Sequence, residues 1–315
     1  RAVREQFGLS AQVAVRCIAK VADAYQPNTQ PPRVFSPLGA QPYDDRIFRF
    51  LADDRISIWT LEGRIKIPFV CGDHQRQLLK HRQGEVDLMW VRGHWYIAAV
   101  CAFDDPGLLT PEGVIGVDMG IVNIATDSTG EHFSGQEVEA KREWYARRRA
   151  ILQRKGSKAA KRRLKKMSGR QRRFQKWVNH NVSRRIVSKA ERSRSAISLE
   201  DLKHIRARAK ANKAQRKRLH NWGFAELRGF IEYKARLSGV PVFVVDPRNT
   251  SRQCSACGHI DQRNRLSQSV FRCVACGHET NADYNAATNI GSRAVVTKPL
   301  FAHQRVPGAV ESPAL

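Results

Sequence analysis

Four cysteines and three carboxylates are the residues of this chain whose types and spacing point to chemistry. Cys254-x-x-Cys257 is followed, fifteen residues on, by Cys273-x-x-Cys276, and a glycine (Gly258, Gly277) follows each pair at the same offset. A two-residue gap lets both thiolates of a knuckle face one ion, and the glycine permits the tight turn behind them. Two knuckles complete a tetrahedral four-thiolate shell with no open position, which means one structural zinc without a Lewis-acid role. Such binding contributes on the order of 10–16 kcal/mol to folding a loop with little core of its own. Disulfides are the competing reading, disfavoured by an intracellular setting. His259 and His278 each follow a knuckle but find the shell full of sulfur. Cys17, Cys71 and Cys101 stand alone in apolar surroundings and are expected to be buried core thiols.

The carboxylates are more scattered. Asp118 breaks the apolar run Gly113-Val-Ile-Gly-Val-Asp, Glu200 ends Ser195-Ala-Ile-Ser-Leu-Glu, and Asp283 lies seven residues after the last cysteine. An acid in an apolar strand costs desolvation energy unless something positive meets it. Any one of them alone reads as a capped or salt-bridged carboxylate. Together they suggest a magnesium site, since hard oxygen ligands suit Mg2+ and manganese can substitute. Two such ions roughly 3.5–4 Å apart activate a water and stabilise the leaving oxygen of a phosphodiester. Three clustered acids would repel strongly without cations. Asp246 is a spare carboxylate, expected to support rather than react.

Charge says what such a site would act on. The 315 residues carry 55 Lys and Arg against 29 Asp and Glu, a net +26. Between Lys141 and His220 there are 30 basic and 4 acidic residues, so this one segment holds the entire excess. Concentrated charge of this kind attracts a polyanion and releases its counterions; the bland reading is a solvated face. With 42% hydrophobic and 8% aromatic residues the chain is not a wholly disordered protein. Its length allows two or three domains. No apolar run nears the roughly 20 residues of a membrane span, and no signal-peptide core is present. A soluble, intracellular protein with no membrane partner and no small-molecule substrate is expected. Beginning at Arg1 without methionine, the sequence reads as missing an N-terminal segment.

The positioning elements follow from periodicity. Val13, Cys17, Ile18, Val21 and Tyr25 form a helical apolar stripe, ended by the Pro-rich stretch Gln26 to Pro37. Strands are expected at Ile56 to Leu61, Arg64 to Val70, Glu85 to Val91 and His94 to Phe103, as a small antiparallel sheet or barrel. After a linker at Asp104 to Pro111 comes a hairpin: a strand over Gly113 to Asp127, a turn at Ser128-Thr129-Gly130, then Glu131 to Glu137. The basic segment reads as two helices broken near Ser168-Gly169. Phe174, Trp177, Val178, Val182, Ile186, Val187 and Ala190 would pack on one face, with arginines outward. Ser195 to Leu202 and Pro241 to Val245 read as strands, Asn221 to Leu237 as a helix, and Val296 to Leu315 as a loose tail.

Gly116-Val-Asp-Met-Gly-Ile-Val-Asn, the strand Ile197-Ser-Leu-Glu-Asp-Leu, and the cysteine ribbon running into Asp283-Tyr-Asn-Ala-Ala-Thr-Asn-Ile resemble the three RuvC motifs of the TnpB family. Trp222 to Gly239 and Asn249-Thr-Ser-Arg-Gln-Cys extend the likeness, which covers roughly Gly113 to Ile290. Members are encoded by insertion sequences, are often labelled transposase, and are RNA-guided DNA endonucleases related to type V CRISPR effectors.

The resemblance implies an α/β RNase H-like (RuvC) nuclease domain with an inserted zinc ribbon, preceded by a small wedge-type β-barrel and a residual N-terminal helix. It puts the catalytic, magnesium-binding acids on Asp118, Glu200 and Asp283, and the zinc ligands on Cys254, Cys257, Cys273 and Cys276. Asp118 would lie on the first strand, Glu200 on the fourth, and Asp283 at the start of the last helix. The implied boundaries are 1–28 for the recognition-lobe helix, 29–110 for the barrel and 111–251 for the nuclease domain with its basic hairpin. The ribbon would take 252–279, the third motif 280–295 and the tail 296–315. The implied partners are guide RNA and target DNA, in a prokaryotic cytoplasm. Trp144, Tyr145, Phe174 and Trp177 could stack bases, although Phe174 and Trp177 sit on the stripe expected to pack inward. Two departures from the family pattern are expected: Asn281 occupies a position often acidic in the family, and the first barrel strand and most recognition helices would be absent from this sequence. The alternatives are a catalytically weak or inactive RNA- or DNA-binding homologue acting as a regulator and a guide-independent, structure-selective RuvC-like nuclease.

Overall fold

The computed structural model describes residues 2–26, 32–104, 106–201 and 223–294. The start of the expected helix at Asn221 and Trp222, the basic residues from 202 to His220, and the tail from Val296 lie outside the described residues. The described residues up to Asp104 form one unit and those from Pro106 onward another.

In the first unit, α1 (Ala2–Phe7) leads into α2 (Ala11–Tyr25), which starts at Ser10 because the serine Oγ accepts the Val13 N–H at 3.4 Å. Strands β1 (Gln41–Tyr43), β2 (Phe48–Phe50), β3 (Arg55–Thr60) and β4 (Gly63–Pro68) follow, then α3 (Asp73–Leu79), which the sequence reading missed. The last strands here are β5 (Arg82–Val91) and β6 (His94–Cys101). They pair as two three-stranded antiparallel sheets, β2-β3-β4 and β1-β5-β6. Tyr43, Ile47, Phe48, Ile56, Ile58 and Val86 form one core shared by both sheets, with Val13 of α2 packed against it. The apolar stripe of α2 is only half used: Ala14 is buried, while Ile18, Val21 and Tyr25 stay exposed. Cys17, Cys71 and Cys101 are half-buried rather than fully buried.

The second unit is built on a five-stranded sheet. Its strands are β7 (Gly113–Asp118), β8 (Asn123–Asp127), β9 (His132–Ser134), β10 (Ser195–Glu200) and β11 (Val242–Val245), in the order β11-β10-β7-β8-β9. Strand β10 pairs parallel with both β7 and β11, whereas β8 pairs antiparallel with both β7 and β9. The expected single strand over Gly113 to Asp127 is thus two strands, with Val117 opposite Asp127 and Asp118 opposite Thr126. The apolar run continues through the turn, so hydrophobicity alone did not reveal the reversal.

Between β9 and β10 lie α4 (Gln136–Lys155) and α5 (Lys158–Arg192). The break falls at Gly156-Ser157, not at Ser168-Gly169. Gly156 takes the left-handed φ of 64° that ends α4, and Ser157 Oγ accepts the Ala160 N–H to start α5. Ser168 and Gly169 continue inside the second helix, because one glycine costs about 1 kcal/mol, too little to break a long packed helix. After the sheet's fourth strand, α6 (Phe224–Leu237) packs with α5, and α7 (Ala282–Arg293) closes the unit.

Strand alternation assigns the faces. Ile115, Val117, Ile197 and Leu199 enter the core with Val178, Val182, Ile186, Val187 and Ala190 of α5 and Leu227 and Ile231 of α6. Gly116 and Ser198 face the other way, onto α7: Ser198 Oγ donates to the Ile290 carbonyl at 2.8 Å. A Cβ on Gly116 would lie 2.0 Å from the Ala287 carbonyl, so only glycine lets α7 lie this close.

Candidate active site

That alternation carries straight to the acids. Asp118 is two residues beyond Gly116 and Glu200 two beyond Ser198, so both carboxylates emerge on the α7 face. Leu199 and Val117 are register partners in the parallel pair, and each acid is the next residue along its strand. Adjacent strands lie about 4.8 Å apart, which sets the two side chains next to each other at one sheet edge. Asp283 arrives from α7 itself, in its first turn. Asn281 fixes where that helix starts, its Oδ1 accepting the N–H groups of Asp283 at 2.9 Å and Tyr284 at 3.1 Å. The departure at Asn281 is therefore a helix cap.

Asp118 feels the charges of both Glu200 and Asp283. The Asp118 carboxyl is enclosed by protein atoms, although the residue as a whole is only half-buried. Burial first, then the charges of Glu200 and Asp283, push its pKa up to about 8, against an opposing pull from Arg265. Burial also raises Glu200, opposed by a hydrogen bond from Thr250 Oγ1 and by the charge of Arg293. Asp283 accepts from Asn123 Nδ2 at 3.0 Å on Oδ2 and from Arg265 Nη2 at 3.3 Å on Oδ1. Across the β7–β8 pair from Asp118, the buried Thr126 Oγ1 has no hydrogen-bond partner among the described residues. Neighbouring carboxylates, one of them raised by burial and by the charges of the other two, and a buried hydroxyl beside it form a donor set that suits a hydrated hard cation.

Nearby acids are committed elsewhere. Asp127 accepts from Thr129 and Glu131 in its own turn and pairs with Lys189. Asp201, next to Glu200, pairs with Arg228 at 3.1 Å. Asp246 caps the Arg248 N–H at 3.0 Å. Sequence reasoning missed Asn123, Thr250 and Arg265. The first two stand inside the quoted motif segments; Arg265 sits in the ribbon loop, and no spacing marks it.

The four cysteine sulfurs lie within 4.8 Å of one another. Cys254 and Cys276 are 3.8 Å apart and Cys257 and Cys273 3.6 Å. A tetrahedron with Zn–S near 2.3 Å has edges of about 3.8 Å, so the cluster fits zinc. Both knuckles close alike. Gly258 N–H reaches the Cys254 carbonyl and Cys254 N–H the His259 carbonyl, each at 2.9 Å. Gly277 and Cys273 repeat the pattern at 3.0 and 2.9 Å, the second with His278. The histidines thus contribute backbone carbonyls, and Gly258 and Gly277 take φ of 77° and 73°.

On the basic hairpin, Lys161, Arg162, Arg163, Lys165 and Lys166 are exposed. Trp177 is 60% exposed, not packed inward as expected, and lies stacked on a half-buried Phe174. Trp144 is exposed as well, while Tyr145 packs against Leu152, Ala160 and Met167. Among the described residues no helix is long and apolar enough to cross a membrane.

Residues 102–204 match the family described as "Probable transposase" (OrfB_IS605), and residues 224–290 the "Cas12f1-like, TNB domain". The chain is 33% identical over 217 residues to a CRISPR-associated endodeoxyribonuclease Cas12f1 of Sulfoacidibacillus thermotolerans, covering 63% of this chain and 50% of that protein. It is 28% identical over 267 residues to a TnpB-like protein of Methanocaldococcus jannaschii, covering 78% of this chain and 92% of that one. The chain spans about half the length of the Cas12f1 relatives it matches first. Its fold is similar to that of CasPhi-2 (Cas12j) bound to crRNA, with a TM-score of 0.50 and 13% identity over 76% of this chain and 61% of that one.

Proposed function

We propose that the chain is a member of the group of TnpB-like proteins and Cas12f effectors it resembles, and that it is an RNA-guided, divalent-metal-dependent DNA endonuclease associated with a transposable element. One observation supports the reading: Asp118 lies within electrostatic reach of both Glu200 and Asp283, although the three are spread over 165 residues of sequence. Both matched segments contribute, the first supplying Asp118 and Glu200 and the second Asp283.

Asp118, Glu200 and Asp283 are the residues that would hold magnesium. When bound, the ions supply an activated water and charge neutralisation at the leaving oxygen of a phosphodiester. The chain's own groups do the rest. Asn123 and Arg265 orient Asp283, and Arg265 also brings positive charge to where a phosphate would enter. In this reading the five-stranded sheet is the RuvC-like core, the zinc ribbon is its insertion, and the first unit is the wedge-type domain. Guide RNA and target DNA are the partners. The exposed lysines and arginines of α4 and α5 would grip the backbone of a guide–target duplex while base pairing reads sequence.

Asp118→Ala, Glu200→Ala and Asp283→Ala are each expected to abolish magnesium-dependent cleavage by protein with co-purified RNA, with nucleic-acid binding nearly intact. Parental cutting by any of the three would sink the assignment. RNase treatment of the parent is expected to destroy targeting; cleavage that survives it would point to a guide-independent nuclease, and intact binding without cleavage to a regulator.

A further inference from the structure

Glu200 is held by a residue that no metal chemistry requires. Thr250 is only 3% exposed, and its Oγ1 donates to Glu200 Oε1. The same oxygen lies 3.1 Å from the Pro247 carbonyl. A hydroxyl has one hydrogen, and an ionised carboxylate is the stronger acceptor. With Oε1 so engaged, the carboxylate is held in a fixed orientation.

Thr250 is itself fixed by α7. Asn285, Asn289 and Arg293 stand four residues apart and share one face of that helix. Asn289 Nδ2 donates to the carbonyls of Thr250 at 2.9 Å and Gln253 at 2.7 Å. Asn285 Nδ2 donates to the Gln253 carbonyl at 2.8 Å, and its Oδ1 accepts the Ser255 N–H at 3.0 Å, inside the first zinc knuckle. Arg293 donates to the carbonyls of Asp246 at 2.6 Å and Arg248 at 2.7 Å. The segment from Asp246 to Ser255 is thereby strapped to the helix that carries Asp283. Asn249, just before Thr250, has a φ of 59°, a left-handed conformation that asparagine tolerates better than most residues.

We propose that Thr250 is a positioning residue for Glu200, and that the Asn285–Asn289–Arg293 face of α7 holds it in register with both the zinc knuckle and Asp283. The proposal rests on the reading of the acid pocket as a divalent-metal site. A hydroxyl needed only for folding would matter to stability alone. One that orients a metal-binding carboxylate matters to cation affinity at unchanged stability.

The test uses the full chain with Mn2+ as the probe, titrated calorimetrically without nucleic acid, beside thermal melting and zinc content. Thr250→Val keeps the shape and loses the donor; Thr250→Ser keeps the donor. Thr250→Val is expected to weaken Mn2+ binding about tenfold, the scale of losing a partner of a metal-binding group. Zinc content should stay at the parental value, kcat should fall with KM for DNA unchanged, and Thr250→Ser should restore most of the affinity. Parental Mn2+ affinity in Thr250→Val, or equal impairment in Thr250→Ser, overturns the positioning role. Asp118→Asn separates the two readings. If it too leaves Mn2+ binding untouched, the pocket assignment falls and takes this proposal with it. If it weakens binding while Thr250→Val does not, the positioning role alone fails.

Discussion

Arg265, from the loop between the two zinc knuckles, lies 3.3 Å from Asp283 in the first turn of the last described helix. Its Nη2 also donates to the Gln268 carbonyl at 3.1 Å, which braces the side chain across the loop. The loop between the cysteine pairs therefore delivers a cation to Asp283 as well as joining the two halves of the four-cysteine cluster.

Removing that cation should cost rate more than binding. Arg265→Ala is expected to lower kcat for DNA cleavage by about 10²-fold, the scale of losing one preorganised charge-stabilising donor. Arg265→Lys, which keeps charge but loses the planar fork, should fall between. Steady-state kinetics at saturating magnesium measure this, and an unchanged kcat in Arg265→Ala would remove the arginine from the chemistry.

Asp118 makes stability depend on pH in an unusual direction. Its folded pKa of about 8 lies above the ordinary carboxylate range of an unfolded chain. The proton on it therefore favours the fold: this contribution is complete below the unfolded pKa and is lost as pH rises through about 8. Metal-free protein should melt at lower temperature at about pH 9 than at about pH 6, and Asp118→Asn should flatten that difference. Magnesium should restore the parent at the higher pH, by about 2.7 kcal/mol at a hundred times its Kd. Melting curves with and without chelator decide it.

The zinc reading predicts about one zinc per chain by elemental analysis. Cys273→Ser should lower the melting temperature much more than Cys101→Ser, because one removes a ligand and the other a half-buried thiol. Equal losses in the two variants would count against a metal-built ribbon.

Gly116→Ala tests how the pocket is assembled. The added methyl has the Ala287 carbonyl 2.0 Å away, so α7 must move and carry Asp283 with it. A loss of about 1–3 kcal/mol in stability is expected, with cleavage falling further. Gly229→Ala, in open space within α6, should instead stabilise by about 0.5–1 kcal/mol. Urea titrations of both compare the two directly.

Much of this was legible in one dimension. The apolar runs ending in Asp118 and Glu200 read as buried strands because strands covered on both faces need few polar residues. The cysteine spacing read as zinc because the knuckle is a local structure, set by four consecutive residues and a glycine. Where the reading failed, longer-range geometry had decided. The reversal between Asp118 and Asn123 was hidden by hydrophobicity on both sides of it. Trp177 flanks the buried stripe of Val178, Val182, Ile186 and Ala190 on α5, in line with the exposed Arg184 seven residues on, and so stays open. Ser168-Gly169 has the composition of a break without one, since packing outweighs a single glycine's propensity.

The sequence by itself determined which groups are available: three acids in apolar settings, eight residues making two matched knuckles, and one segment holding all the excess charge. Tertiary structure decided which of them share a space and who attends them. Strand parity turns Asp118 and Glu200 toward α7, and the side-chain-free surface at Gly116 lets that helix come close. Arg265, Asn123 and Thr250 then reach the acids from segments whose separation along the chain carries no periodic signal. Contacts of that kind are set by how the layers pack, and packing is a property of the folded whole.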